Sequence, residues 1–235
     1  MALPKINTPT YELELPSTAE KIKYRPFLVK EQKLLLMAQE TGKEEDVANV
    51  IGDLVESCTF GKIDSKLSPI FDVEYLFLRI RGKSVGEVVD LILTCPDDEK
   101  TEVTVKINLE DIEVNMLDNH TNEIKLLDNC KIVFRYPILS DMKGITTDNT
   151  SISNIFTIMH KCVTEVHYGD DVYHKGDMTD KDIEEFIDQL TGQQFEKISE
   201  FFNTMPKLRH VINITNPKTK KKSEMVVEGL QSFLG

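Results

Sequence analysis

The sequence contains no tryptophan, and no run of 18 or more apolar residues occurs among its 235 residues. A helix needs about 20 predominantly apolar residues to cross a bilayer, so no membrane-spanning segment is expected. The opening residues, Met-Ala-Leu-Pro-Lys, have neither the basic region nor the apolar stretch of a secretory signal. We therefore expect a protein that is made in the cytosol and does not bind membranes.

Cysteine is scarce, and the cysteines lie far apart at Cys58, Cys95, Cys130 and Cys162. A structural zinc site needs four ligands, which sequences usually supply as close pairs. The segment that starts with Cys95 and Pro96 opens like a zinc knuckle, but Asp98 stands where the second thiolate would be and no second pair follows. We expect buried thiols with no metal and no other cofactor.

Positive charge is also in short supply, with 28 lysines and arginines against 40 acidic residues and a net charge of −12. Such a surface repels phosphate backbones, so nucleic acid is not expected as a general partner. The exception is a basic run from Lys218 to Lys222, which is typical of a solvated hairpin tip. Lys220, Lys221 and Lys222 are candidate contacts to an acidic partner.

Catalytic and cofactor motifs are absent from the sequence: GxSxG, GxxxxGK[ST] and GxGxxG do not occur. The Gly82-Lys83-Ser84 triplet follows bulky residues where a phosphate-binding loop requires glycine. It instead predicts a turn at a helix end, with Gly82 and Gly86 at positive φ. The histidines at 160, 167 and 174 and the aspartates at 170, 171 and 177 lack the spacings of zinc and EF-hand sites.

Hydrophobic periodicity predicts an α+β fold with a central antiparallel sheet. In the N-terminal part, the spacing of apolar residues predicts a small hairpin over residues 11–24 and two helices joined at Gly42. It also predicts a third helix, capped by Asp72. Alternating segments between Glu87 and Tyr136 predict one antiparallel sheet of four or five strands. No internal repeat is evident.

The C-terminal third is predicted to be helical and to end in a β-hairpin over residues 211–227. One helix is expected over residues 153–166, and another begins at a capping box formed by Thr179 and Asp182. These patterns divide the chain into residues 1–86, 87–137 and 138–235, either as separate regions or as one continuous domain.

The densest aromatic stretch contains Phe195, Phe201, Phe202 and Met205. Such residues are more often core than interface. Adjacent side chains on a helix point about 100° apart, so burying both Phe201 and Phe202 in a small domain is difficult. We therefore treat Phe201, Phe202 and Met205 as candidate partner contacts.

Three stretches, in this order, carry a family resemblance. The first is residues 23–27 with Glu31, and the second is residues 78–87, which precede a strand ending at Cys95. The third is residues 201–208, which are followed by a hairpin and by residues 229–233. Together they resemble the T-even-type bacteriophage baseplate family of hub and hub-assembly proteins, over residues 11–233. The resemblance implies a late, non-enzymatic tail protein with no catalytic residues. It also implies other baseplate hub and tail proteins as partners, with the tape-measure protein as one candidate, and assembly in the host cytoplasm. Two alternatives stay open after assembly: a lasting place in the contractile-tail virion, or release as a transient assembly factor.

Two other functions stay open at this point. A nucleic-acid-binding module would use the lysine hairpin, and a tail-associated cell-wall hydrolase would need two carboxylates at a cleft. The acidic residues supply many such pairs, but the absence of tryptophan counts against a sugar-binding cleft, which aromatic rings usually line.

Overall fold

The computed structural model describes residues 6–142 and 152–233, and within them six α-helices and eleven β-strands form an α+β fold. The helices are α1 Val29–Thr41, α2 Glu44–Cys58, α3 Ile70–Val85, α4 Ile152–Cys162, α5 Asp180–Asp188 and α6 Gly192–Thr204. The strands are β1 Tyr11–Glu14, β2 Lys21–Tyr24, β3 Val88–Thr94, β4 Glu102–Asn108, β5 Glu113–Asn115, β6 Glu123–Leu127, β7 Cys130–Phe134, β8 Val163–Tyr168, β9 Asp171–His174, β10 Lys207–Thr215 and β11 Lys222–Glu228. The predicted α+β class is confirmed.

The chain forms two compact units, one from residues 1–115 and 207–235 and one from residues 116–206. Strands β5 and β10 pair antiparallel, and Asn115 is opposite Lys207. The chain therefore leaves the first unit and re-enters it at neighbouring positions of one ladder. The division of the sequence at residues 86 and 137 stays a prediction.

In the first unit, α3 is the most deeply buried helix. Its apolar residues Val73, Leu76, Phe77, Leu78 and Ile80 are completely buried. The helix begins at Ile70 after Pro69, so the prediction that Asp72 caps it is wrong. The Asp72 carboxylate instead accepts hydrogen bonds from the backbone N–H and the hydroxyl of Ser17, which holds the β1–β2 turn against α3.

The other N-terminal predictions are confirmed with one correction. Strands β1 and β2 pair antiparallel, and α1 ends at Gly42, which has a φ of 67°. Gly86, with a φ of 125°, follows the end of α3 as expected. Gly82, however, lies inside α3, because the helix continues to Val85. The Lys83 ammonium group there donates to Glu87 and Glu110, so the glycine-lysine-serine triplet lies within a helix that carries ion pairs.

The prediction of one central sheet over residues 87–136 is wrong. Strands β3 and β4 form a separate two-stranded sheet, and β5 joins β10 and β11 in the order β11-β10-β5. Strands β6 and β7 belong to a sheet of the second unit with the order β6-β7-β8-β9. A short 3-10 turn at Leu109–Asp111 follows β4, and its Leu109 side chain is buried. Beyond that turn, β6 and β7 pair locally, but β5 pairs with the distant β10 and β7 also pairs with β8, and local alternation does not encode these longer-range pairings.

The second unit packs α-helices against the four-stranded sheet. Its core consists of Ile124, Leu126, Cys130, Ile132, Phe134, Met159, Cys162, Val163, Val166, Ile183, Ile187, Ile198 and Phe201. The helix predicted to reach residue 166 ends at Cys162, because Val163–Tyr168 pairs with β7 as strand β8. The capping box of Thr179 and Asp182 is confirmed.

Phe60 lies in an unfavourable backbone conformation after α2. Its φ is 59°, and 62% of its side chain is exposed. A non-glycine residue in the left-handed region costs about 1–2 kcal/mol. Replacing Phe60 by glycine is therefore expected to raise the free energy of unfolding by about 0.5–1 kcal/mol, after the entropic cost of glycine. Phe60→Ala is the matched control, since it removes the ring and keeps the strain. Urea unfolding that finds glycine no more stable than alanine would contradict this assignment.

Candidate interaction surfaces and buried charge clusters

A buried ion pair joins the end of β2 to the start of α1. The Arg25 Nη1 and Nη2 groups donate to the Glu31 carboxylate at 3.1 and 2.7 Å. The same carboxylate accepts from the Leu28 backbone N–H at 2.6 Å and from the Ser57 hydroxyl at 3.1 Å. Burial acts to raise the pKa of Glu31, but the hydrogen bonds from Arg25 and Leu28 outweigh it and lower that pKa to about 2.

The second unit contains a matching ion pair. The Arg135 guanidinium donates to the Asp141 carboxylate at 2.6 and 3.0 Å, and the Ile138 backbone N–H donates to the same group at 2.9 Å. The backbone N–H of Arg135 donates to the Cys162 carbonyl at 2.8 Å, and its Nη2 donates to the Lys161 carbonyl at 3.0 Å.

The two clusters repeat the same arrangement. In both, an arginine directly follows the last residue of a strand, the acid follows six residues after the arginine, and a backbone N–H three residues after the arginine donates to that acid. The arginine N–H bonds to the carbonyl of a buried cysteine at the end of a helix, Cys58 in one unit and Cys162 in the other. Residues 21–25 read Lys-Ile-Lys-Tyr-Arg and residues 131–135 read Lys-Ile-Val-Phe-Arg. The interpretation that the sequence has no internal repeat is wrong for this motif, which the two pentapeptides would have revealed.

The four cysteines are free and buried. Burial raises the pKa of the Cys58 thiol to about 11 and that of the Cys162 thiol to about 12. Both thiols are therefore protonated at neutral pH, and a protonated thiol is a poor nucleophile and a poor metal ligand. Among residues 6–142 and 152–233, no cluster of three or more His, Cys, Asp or Glu side chains is arranged to hold a metal ion.

The segment that resembled a zinc knuckle is a turn held by its aspartates. The Asp98 carboxylate accepts hydrogen bonds from the backbone N–H and the hydroxyl of Thr101, at 3.0 and 2.6 Å. The Asp97 carboxylate accepts from the Asn216 amide at 3.0 Å and from the Thr219 hydroxyl, and both bonds lower the pKa of Asp97. The turn between β3 and β4 is thereby bound to the turn between β10 and β11.

The lysine tip, defined as residues 218–222, is the turn that Asp97 holds. The Asn216 side-chain oxygen accepts from the backbone N–H groups of Lys218 and Thr219, at 2.8 and 3.2 Å. The predicted hairpin is confirmed, because β10 and β11 pair from Arg209 to Thr215. The tip lysines, Lys218, Lys220, Lys221 and Lys222, are exposed, and none forms an ion pair within the described part of the chain. The tip is thus a fixed basic surface on an acidic protein.

The aromatic stretch of α6 lies mainly in the core of the second unit. Phe201 is 2% exposed and stacks on Phe134, with 5.3 Å between the ring centroids. Phe202 is half-buried and meets Phe134 edge-on at 5.5 Å. The Phe134 ring therefore contacts both Phe201 and Phe202, although the side chains of these two residues point in different directions. The assignment of Phe201, Phe202 and Met205 as partner contacts stays a prediction, and of the three only Phe202 and Met205 expose appreciable surface.

Helix α1 carries a surface that the sequence interpretation missed. Only Glu31 and Ala38 of this helix are buried. Its exposed apolar side chains are Val29 at 81%, Leu34 at 55%, Leu36 at 53% and Met37 at 53%. Residues 34–37 are four consecutive apolar positions, which point all around a helix and cannot all face one core. This run of four apolar residues was the feature of the sequence that could have revealed the exposed surface.

The fold and these surfaces define an α+β protein in which buried ion pairs hold neighbouring segments of the chain together. Its exposed features are the apolar side chains of α1 and the basic lysine tip. The chain belongs to the T4 bacteriophage base plate protein family, whose model matches residues 8–235. It therefore has a structural role in the phage baseplate, and the resemblance seen in the sequence is confirmed. Searches of curated proteins and of solved structures find no significant match. Within the described residues, no helix has both the length and the apolar character needed to cross a membrane.

Proposed function

We propose that this chain is a baseplate hub or hub-assembly protein that acts by docking onto other tail proteins and catalyses no reaction. The family match over residues 8–235 carries the proposal. The buried charges support it, because Glu31 and Asp141 are each bound by an arginine and a backbone N–H and so are not available as acids or bases. Assembly takes place in the host cytoplasm, and the assembled product is the tail of the virion.

The lysine tip is the contact for an acidic surface of another hub or tail protein. A tip that is already fixed by Asp97 and Asn216 loses little conformational entropy on binding. Its unpaired lysines attract an acidic partner and speed the encounter at low salt. Phe202 and Met205 of the second unit are a further proposed contact with such partners.

The lysine tip is tested by reversing its charge. The triple variant Lys220→Glu, Lys221→Glu, Lys222→Glu is expected to abolish co-elution with its hub partner in size-exclusion chromatography after co-expression. The matched control changes the exposed Lys23, Lys66 and Lys106 to glutamate, which alters the net charge equally. This control is expected to keep the complex. Equal loss in both variants would show a general charge effect and would contradict a role for the tip.

Two further measurements address the other functions. Retention on DNA that the tip variant alone loses, without any co-purifying tail protein, would favour a nucleic-acid-binding module. Clearing of peptidoglycan in a zymogram by the purified chain would overturn the non-catalytic part of the proposal.

A further inference from the structure

The two hairpins β3–β4 and β10–β11 have the same pairing and the same buried positions. Each joins its strands through seven residue pairs. On the first strand, the residue of the fourth pair is buried in both hairpins, as Leu91 and Ile212. On the second strand, the residue of the second pair is buried in both, as Ile107 and Val227. The two hairpins therefore pack against the core with equivalent residues.

The turns of these hairpins also match. Residues 94–96 read Thr-Cys-Pro and residues 215–217 read Thr-Asn-Pro, each directly at the end of the first strand. The backbone N–H of Glu99 donates to the carbonyl of the residue before the proline, and Lys220 does the same, both at 2.9 Å. Glu99 and Lys220 have φ values of 54° and 62°, which residues other than glycine seldom adopt. Both chains therefore turn by the same backbone path.

The helix before each hairpin matches as well. Two residues separate α3 from β3, and two residues separate α6 from β10. Phe77 and Ile80 are buried in α3, and Ile198 and Phe201 are buried in α6. Each of these two pairs of equivalent residues has the same separation in sequence as the left-handed residues of the two turns. One alignment without a gap therefore covers the helix, the strand and the turn.

The two arginine–acid clusters stand earlier in the same pattern. We propose that the chain consists of two repeats of one unit, residues 11–111 and residues 123–233. Each repeat has an opening hairpin, an arginine–acid pair, a helix that ends at a buried cysteine, a further helix and a closing hairpin. The second repeat has β8, β9 and α5 in addition. This assignment uses the backbone and the core alone and does not depend on the proposed function.

The closing hairpin of the second repeat lies outside the compact unit that the rest of that repeat forms. Residues 207–235 belong to the first unit, whereas residues 116–206 form the second. In the first unit, β10 pairs with β5, and the Asp97 carboxylate accepts hydrogen bonds from the side chains of Asn216 and Thr219. The two closing hairpins are therefore joined at their turns. An exchanged element holds the two subunits of a swapped dimer in this way, here within one chain.

The two equivalent turns differ mainly in charge. Residues 95–101 carry three acids and one lysine, and residues 216–221 carry three lysines and no acid. Like charges on both turns would repel at this distance, whereas opposite charges favour the contact of one turn with the other. The difference in charge between the repeats thus fits a hairpin that is specific for its counterpart.

Cleavage between the repeats tests this arrangement in the full chain. A specific protease site is inserted between Met116 and Leu117, which are both exposed, and the folded chain is then cleaved. The two fragments are expected to co-elute in size-exclusion chromatography, to separate in urea and to co-elute again after the urea is diluted. Fragments that separate on cleavage without denaturant would overturn the exchanged hairpin.

A variant of the cleaved chain tests the contact between the turns. Asp97→Ala is expected to raise the dissociation constant of the two fragments about tenfold, because it removes a charged acceptor of two hydrogen bonds. Asp90→Ala is the matched control, since it removes the same charge from an exposed position on β3 and is expected to leave the constant unchanged. Sedimentation velocity that finds the same constant for both variants would overturn the contact.

Thermal unfolding of the uncleaved chain tests the equivalence of the turns separately. Glu99→Gly and Lys220→Gly are each expected to raise the Tm by about 2 °C, because glycine adopts a positive φ without strain. Lys100→Gly and Lys221→Gly, one position further on, are the controls and are expected to lower the Tm. A gain at only one of the two left-handed positions would contradict a common turn and overturn the assignment of two repeats.

Discussion

Glu31→Gln is expected to lower the free energy of unfolding at pH 7 by about 3 kcal/mol, because removing one partner of a buried ion pair leaves the other charge buried and unpaired. Arg25 loses its carboxylate in this variant, and the Leu28 N–H and the Ser57 hydroxyl lose a charged acceptor. The cluster links the end of β2, the start of α1 and the end of α2, so its loss loosens three elements together. Glu45→Gln, an exposed change on α2, is the control and is expected to have little effect.

The pH dependence gives this prediction a second measurement. The pKa of Glu31 is about 2 in the folded chain, against 4.5 for the unperturbed side chain. A depressed pKa stabilises the folded state above the unfolded-state value, and that stabilisation is lost as the pH falls towards 2. The difference in urea unfolding free energy between wild type and Glu31→Gln should therefore be largest above pH 5 and should shrink between pH 4.5 and 2. A difference that stays constant over this range would contradict the assignment.

Phe201→Ala is expected to lower the free energy of unfolding by about 3–5 kcal/mol, the usual cost of removing a fully buried phenylalanine. Phe201 stacks on Phe134 and lies against His120 and Tyr136, so its loss opens a cavity among these rings. Phe202→Ala is the matched control one position away. Because Phe202 is half-buried, its truncation is expected to cost about 1–2 kcal/mol.

The same pair of variants separates packing from partner binding. Phe202→Ala is expected to remain folded because its side chain is only half-buried, so loss of binding to a hub protein in this variant reports a contact. Loss of binding in Phe201→Ala reports unfolding, which circular dichroism would detect. A larger stability loss for Phe202 than for Phe201 would contradict the burial on which this separation depends.

Local signals in the sequence were sufficient to predict the elements whose contacts join residues close together in the chain. The hairpin of β1 and β2, the hairpin of β10 and β11, the end of α1 at Gly42 and the capping box at Thr179 all depend on residues close together in the chain. The pairing of β5 with β10 depends on segments about 90 residues apart, and no local pattern encodes it.

Other features were misread because two interpretations shared one pattern. Val163 to Val166 continue the apolar rhythm of α4, but β-branched residues also fit a strand, and pairing with β7 decided the outcome. The surface of α1 was overlooked because its leucines were interpreted as core. Glu31 appeared only as part of a family resemblance, although its six-residue spacing from Arg25, repeated at Arg135 and Asp141, was present in the sequence.

The pairing of Asn115 with Lys207 has an evolutionary consequence. A segment whose two ends emerge side by side from one ladder can be lost, exchanged or enlarged while the host strands need only a short reverse turn to stay joined. Residues 116–206 could therefore change as one insertion without a redesign of the strands that carry it.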